Sequence, residues 1–152
     1  MSLKKLYQEM ILAHNKSPRN FQELMDPSHV AHGKNPLCGD DYYIYLKVDQ
    51  NDVIQDIGFQ GVGCAISKAS ASLMTDMVKS LNKQEAVQLK DAFIRVVTAD
   101  RVSQSDHDRC GPRLGIFEGV KAYPVRVKCA TLIWRALESA LESATEQVVS
   151  TE

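Results

Sequence analysis

No stretch of this sequence approaches the roughly 18 consecutive apolar residues that a membrane-spanning helix needs. No excess of one charge marks it for a polyanionic partner either: 18 lysines and arginines face 19 aspartates and glutamates, for a formal charge of -1 and a pI near 6.4. A domain built for DNA or RNA carries a basic face, so neither nucleic acid nor membrane is an expected partner. The segment from Met1 to Met10 is charged and helical in pattern, unlike a secretory signal, and the expected location is the cytoplasm. Internal repeats, heptad runs and interdomain linkers are also missing. So is any pair of cysteines at the C-x-x-C spacing of zinc ribbons and redox motifs. Cysteine itself is present four times, at positions 38, 64, 110 and 129. In a reducing compartment such thiols are free, metal-bound or catalytic rather than bridged.

What is there describes an ordinary globular chain. With 152 residues, 44% hydrophobic and 24% charged, it suits one domain over 1–152, with a core from about 3 to 145. Leu3, Leu6, Tyr7, Met10, Ile11 and Leu12 recur at helical spacing, and Pro18 ends that helix. Tyr42, Ile44, Leu46 and Val48 alternate as in a strand. After the turn cluster Asp49-Gln50-Asn51-Asp52, Val53, Ile57 and Phe59 do the same, which predicts an antiparallel hairpin. Gly61-Val62-Gly63 breaks the second strand, and Cys64 opens a helix with Ile66, Ala69, Leu73 and Met77 on one stripe. Asn82 reads as the cap of a helix carrying Ala86, Leu89, Phe93, Val96 and Val97. From Thr98 to Gly119 periodicity disappears, with room for a short helix around Leu114 to Val120. Pro124 suits the first turn of a final helix whose apolar face runs Val125, Cys129, Leu132, Ile133, Ala136, Leu137, Ala140 and Leu141. Trp134 is expected at the core margin, and Glu138 with Glu142 marks a solvated face.

Three of the cysteines sit where chemistry is available to them. In Asn35-Pro36-Leu37-Cys38-Gly39-Asp40, the glycine lets a thiol and a carboxylate face one point instead of alternating as strand neighbours; the alternative is a small buried cysteine beside a surface aspartate. Cys64 lies at a helix N-terminus, where backbone N–H groups favour thiolate; otherwise it is a small residue fitted to a tight turn. Cys129, on the apolar face of the last helix, taken alone reads as a packing residue more readily than as a ligand. As a set, Cys38, Asp40, Cys64 and Cys129 offer four ligands for tetrahedral zinc or ferrous iron, provided that the fold brings them together. Arg126, one turn before Cys129, is placed to steady a thiolate or orient a partner, or else is a solvated helix residue. The H-x-x-C pair His107 and Cys110 is left aside as coincidence, and His29 and His32 as surface histidines.

Three segments in order, Asn35 to Asp40, Gly61-Val62-Gly63-Cys64-Ala65-Ile66-Ser67, and Tyr123-Pro124-Val125-Arg126-Val127-Lys128-Cys129-Ala130-Thr131-Leu132, resemble the NifU N-terminal, IscU-like family from about Leu3 to Leu141. The resemblance implies an α+β fold with a small antiparallel three-stranded sheet packed against helices, the third strand coming from the connector around His29 to His32. It also implies that Cys38, Asp40, Cys64 and Cys129 carry zinc, or iron and a nascent [2Fe-2S] cluster. Scaffolds of the IscU branch have a histidine before the third cysteine and a Leu-Pro-Pro-Val-Lys segment. Here Lys128 precedes Cys129 and Tyr123-Pro124-Val125-Arg126 replaces that segment, while 98–119 looks like the insertion of the SufU branch. The SufU-type resemblance implies a zinc-dependent sulfurtransferase. Such a protein takes persulfide sulfur from a pyridoxal-phosphate cysteine desulfurase of SufS type and passes it to downstream Suf-type cluster assembly proteins. Cys38, on the most movable loop, is the expected sulfur acceptor; the alternative is a scaffold on which the Fe-S cluster is built.

Overall fold

In the computed structural model, residues 2–143 and 145–151 are described. The order is α1 (Leu3–Lys16), β1 (His29–Asn35), β2 (Asp40–Val48), β3 (Ile54–Val62), α2 (Ala65–Val78), α3 (Lys83–Thr98), α4 (Gln104–Gly115), a 3₁₀ turn (Ile116–Ala122), α5 (Pro124–Glu142) and β4 (Gln147–Ser150). Side-chain caps start several helices. Ser2 accepts from Lys5 N, and Asn82 and Glu85 form a reciprocal capping box on α3. Pro124 occupies the first turn of α5, where its missing N–H costs nothing.

The α+β class is as expected, but the sheet has four strands in the order β3-β2-β1-β4 and is mixed. β2 pairs antiparallel with β1 and β3, while β4 runs parallel to β1, Ala31 opposite Gln147 and Lys34 opposite Ser150. The third strand is indeed the His29 connector, longer than expected. The fourth is four residues long, too short for alternation to announce it. A register shift between Lys47 and Val48 pairs Val48 with Ile54, so Ile54 rather than Val53 fills the core.

One sheet face packs on α5 and α2. Trp134 is fully buried at the centre of that layer, not at its margin: it stacks on Phe93 at 4.9 Å and donates Nε1–H to Ser70 Oγ at 3.1 Å. Ser70 in turn donates to Ala130 O at 2.6 Å, tying α2 to α5. Glu138 is not simply solvated, because it grips the nearly buried Lys90 of α3 at 2.6 Å. Leu12 and Val125, expected on apolar faces, are 67% and 53% exposed. The segment 98–119 is mostly helical. The inward residues of α4 are few, Asp106, Cys110 and Leu114, and Gly111 (φ 73) with Pro112 breaks α4 internally, which erases the periodicity. Among the described residues, no helix is long and apolar enough to cross a membrane.

Candidate metal centre

Two loops and the first turns of α5 meet at one end of the sheet. The β1–β2 connection is a tight turn closed by Cys38 N–H on Asn35 O at 3.1 Å, with Asn35 paired to Asp40 across the ladder. Gly39 has φ +72, a conformation closed to most L-residues, and this folds Cys38 back over Asp40. The β3–α2 connection sets Cys64 as the N-cap of α2, its sulfur accepting the Ser67 N–H at 3.4 Å. Gly63 is required by close approach: a Cβ there would lie 2.6 Å from both Asp40 Oδ1 and the Tyr42 hydroxyl and 2.7 Å from Ser67 Oγ. The third contribution is Cys129, 3% exposed, one turn inside α5.

Asp40 organises the junction. It is 2% exposed. Its Oδ1 accepts the Cys64 N–H at 2.9 Å and lies 3.0 Å from the Ser67 hydroxyl, and its Oδ2 accepts from Asn35 Nδ2 at 3.3 Å. Ser67 Oγ is also 3.0 Å from Cys64 O and 3.2 Å from the Tyr42 hydroxyl; its single proton goes best to the charged carboxylate, with Tyr42 donating to Ser67. Burial pushes the Tyr42 phenol up to about 12, which keeps that donor protonated. Asn35, fully buried, also donates toward Cys129 Sγ at 3.5 Å, and its own Oδ1 has no partner.

Ligand atoms of Cys38, Asp40 and Cys129 all lie within 4.8 Å of one another. Cys64 is outside that tightest group but lies near it, since its thiol and that of Cys129 influence one another, as do those of Cys129 and Cys38. In this arrangement the Cys129 thiol beside it, helped by the Ser67 N–H, holds the Cys64 thiol below its usual value, against the opposing effect of burial. The neighbouring Cys64 thiol and burial push Cys129 the other way, up from the usual thiol value.

The donor set suits a thiophilic divalent cation. Zinc–sulfur bonds of about 2.3 Å and zinc–oxygen bonds of about 2.1 Å place neighbouring tetrahedral ligands just under 4 Å apart, a small contraction from the spacing here. The electrostatics agree. Every donor to Asp40 is neutral, and among the described residues no cation pairs with it, so a buried carboxylate shares the pocket with the thiols without a positive group to balance it.

The other residues singled out in the sequence lie elsewhere. Arg126, in the first turn of α5, stacks over the Tyr123 ring at 4.4 Å. His32 is bound to Asp41 at 2.5 Å and stacked on Tyr43, and His29 bonds Ser28. Cys110 is buried in the core and raised to about 11 by burial, while His107 turns to Glu118 at 3.8 Å, so the two form no half-site. Asn35, Tyr42 and Ser67 were not anticipated in their roles. The available signals were weak: Ser67 stands three residues after a cap, and Tyr42 lies on the same strand face as Asp40.

Comparison with known proteins gives this geometry a family. The profile of the NifU-like N terminal domain matches residues 6–130. The chain is 39% identical over 140 residues to the zinc-dependent sulfurtransferase SufU of Bacillus subtilis (strain 168), covering 90% of each chain. It is 38% identical over 143 residues to the iron-sulfur cluster assembly scaffold protein IscU of Streptococcus pyogenes serotype M1, covering 92% of this chain and 85% of that one. A crystal structure described as a putative iron-sulfur cluster assembly scaffold protein for the SUF system, from Fervidobacterium islandicum AW-1, superposes with a TM-score of 0.80 at 34% identity, over 88% of this chain and 94% of that one. On the strength of the matched profile, these relatives and the shared fold, the chain belongs to the NifU-like N-terminal domain family.

Proposed function

We propose that this protein works in iron-sulfur cluster assembly as a zinc-dependent sulfur carrier of SufU type, with Cys38, Asp40, Cys64 and Cys129 as the metal ligands. The observation that carries the reading is the convergence of three thiols on a buried carboxylate that lacks a cation partner. Zinc, when bound, supplies the missing positive charge and holds the thiolates in place without redox chemistry.

Cys38 is the acceptor. It is partly exposed where Cys129 is buried, and it sits on a turn whose neighbour Gly39 tolerates rearrangement. Its thiolate attacks the outer sulfur of a persulfide on the partner, a pyridoxal-phosphate cysteine desulfurase of SufS type. The new S–S bond forms on Cys38, the old one breaks, and its electron pair leaves with the partner's cysteine as thiolate. Asp40 and the α2 N-terminus keep Cys64 in place throughout. Arg126, exposed beside Tyr123 one turn from Cys129, is positioned to meet the partner. Downstream Suf-type assembly proteins receive the sulfur.

The test is to incubate zinc-loaded protein with desulfurase and cysteine and map the added sulfur by mass spectrometry. Sulfur on Cys38 with zinc-dependent stimulation of the desulfurase is expected; sulfur on Cys64 or Cys129 alone overturns the assignment. A scaffold reading is favoured by the IscU-named relatives at nearly the same identity. It predicts a stable, transferable chromophore after reconstitution with iron and sulfide.

A further inference from the structure

Beside the metal centre, α1 and the 3₁₀ turn enclose a cleft of about 550 Å³, walled by Lys4, Tyr7, Ile116, Tyr123 and Arg126. Such a volume is that of a small-molecule site. Among the described residues, neither Lys4 nor Arg126 has a carboxylate partner. The third cation on the wall, Lys121, is already engaged by Glu118 at 2.9 Å and Ala99 O at 2.8 Å. Glu118, the wall's carboxylate, is answered by Lys121 and by His107 at 3.8 Å. The cleft therefore offers net positive charge over an apolar floor. One wall hydroxyl is also unsatisfied: the Tyr7 oxygen is buried with no hydrogen-bond partner.

No cysteine lines the cleft, but one of its walls leads toward them along α5. Arg126 lies one helical turn before Cys129. The Tyr7 phenol is raised chiefly by burial, and it also feels the charges of Arg126, Cys64 and Cys129, so it is near both guanidinium and sulfur.

We infer that the cleft binds a small thiol bearing a carboxylate, which accepts the sulfur carried on Cys38; this rests on the sulfur-carrier reading above. Lys4 and Arg126 take the carboxylate and the apolar floor takes the short chain. The ligand's thiolate attacks the outer sulfur of the Cys38 persulfide. A bond forms between ligand sulfur and outer sulfur, and the S–S bond to Cys38 breaks. The electron pair stays on Cys38 as thiolate, and the proton remains on the transferred sulfur. The ligand leaves as a persulfide, with no net oxidation or reduction.

Two measurements test this. In the first, zinc-loaded protein is titrated with 3-(methylthio)propionate, which carries the anion but cannot accept sulfur, with its neutral amide as control. Saturable NMR shifts at Lys4, Tyr7, Gly119 and Arg126 are expected for the acid alone, weakened about fivefold in Lys4→Gln. No saturable shift, or an equal response to the amide, overturns the inference. In the second, protein carrying radiolabelled sulfur on Cys38 is offered 3-mercaptopropionate or 2-mercaptoethanol at matched thiolate concentration. Release to the anionic thiol is expected to be saturable and about tenfold faster at low salt, with the ratio collapsing toward one in Lys4→Gln. A ratio of one in the unmodified protein overturns the inference. If the protein takes no sulfur from a desulfurase, the carrier reading fails, and the first measurement still decides whether the cleft is an anion site.

Discussion

Asp40 and Asp106 are both nearly buried carboxylates beside the start of a helix, yet they are treated in opposite ways. Asp106, in the first turn of α4, is clasped by the Arg95 guanidinium through Nε at 2.7 Å and Nη2 at 2.9 Å, so its charge is neutralised within the fold. Asp40 receives only neutral donors from Asn35, Cys64 and Ser67. Leaving a charge buried among neutral dipoles costs stability. The α3–α4 end is therefore electrostatically complete, whereas the sheet end, under the proposed function, is completed by a bound cation.

The sharpest way to break this contrast is Asp40→Asn. Metal affinity, read by chelator competition, is expected to fall about a hundredfold, while the thermal midpoint of the metal-free protein holds or rises because the buried charge is gone. Unchanged affinity would make the two ends alike. Gly63→Ala attacks the same end sterically, forcing a methyl among Asp40, Tyr42 and Ser67; a loss of about 2 kcal/mol in urea unfolding is expected. Asn35→Ala removes the amide shared by Asp40 and Cys129. It should lower metal affinity about tenfold, with a blue or red shift of the sulfur-to-metal band in the cobalt-substituted protein. The smallest effect belongs to the finished end. The Arg95 hydrogen bonds hold Asp106 below the ordinary carboxylate range, so their stabilisation is present above the unfolded pKa of about 3.9 and is lost as pH falls through the folded value. Arg95→Gln is expected to cost about 1 kcal/mol in urea unfolding at pH 7 and almost nothing near pH 2.

These two ends also differ in how far they could be read from residues alone. The ligand set stood out because thiols are few and Gly39 and the Gly61-Val62-Gly63 run mark abrupt turns, but its convergence is tertiary and no periodicity encodes it. Asn35, Ser67 and Tyr42 stayed hidden because buried polar side chains look like surface ones until their partners are known. On α2 the buried stripe includes Ser67, Ser70, Ser72 and Thr75, so a hydrophobic count sees only part of it. Helix α4 was invisible for a related reason, having a polar exterior and an internal break at Gly111. Lys90 with Glu138 shows the same limit, since an ion pair between helices leaves no trace in either one. By contrast, Asn82 with Glu85, and Pro124, announce helix starts through local chemistry, and those starts are where they were expected.

The hydrogen bond from Asn35 to Cys129 joins positions 94 residues apart. During synthesis, the Cys38 turn and Cys64 leave the ribosome long before α5 does, and until then their cluster lacks its third sulfur and the helix that buries it. A nascent chain therefore has no complete set of donors to offer an ion. Under the proposed ligand set, tight metal retention would report that translation and folding have both reached the last helix.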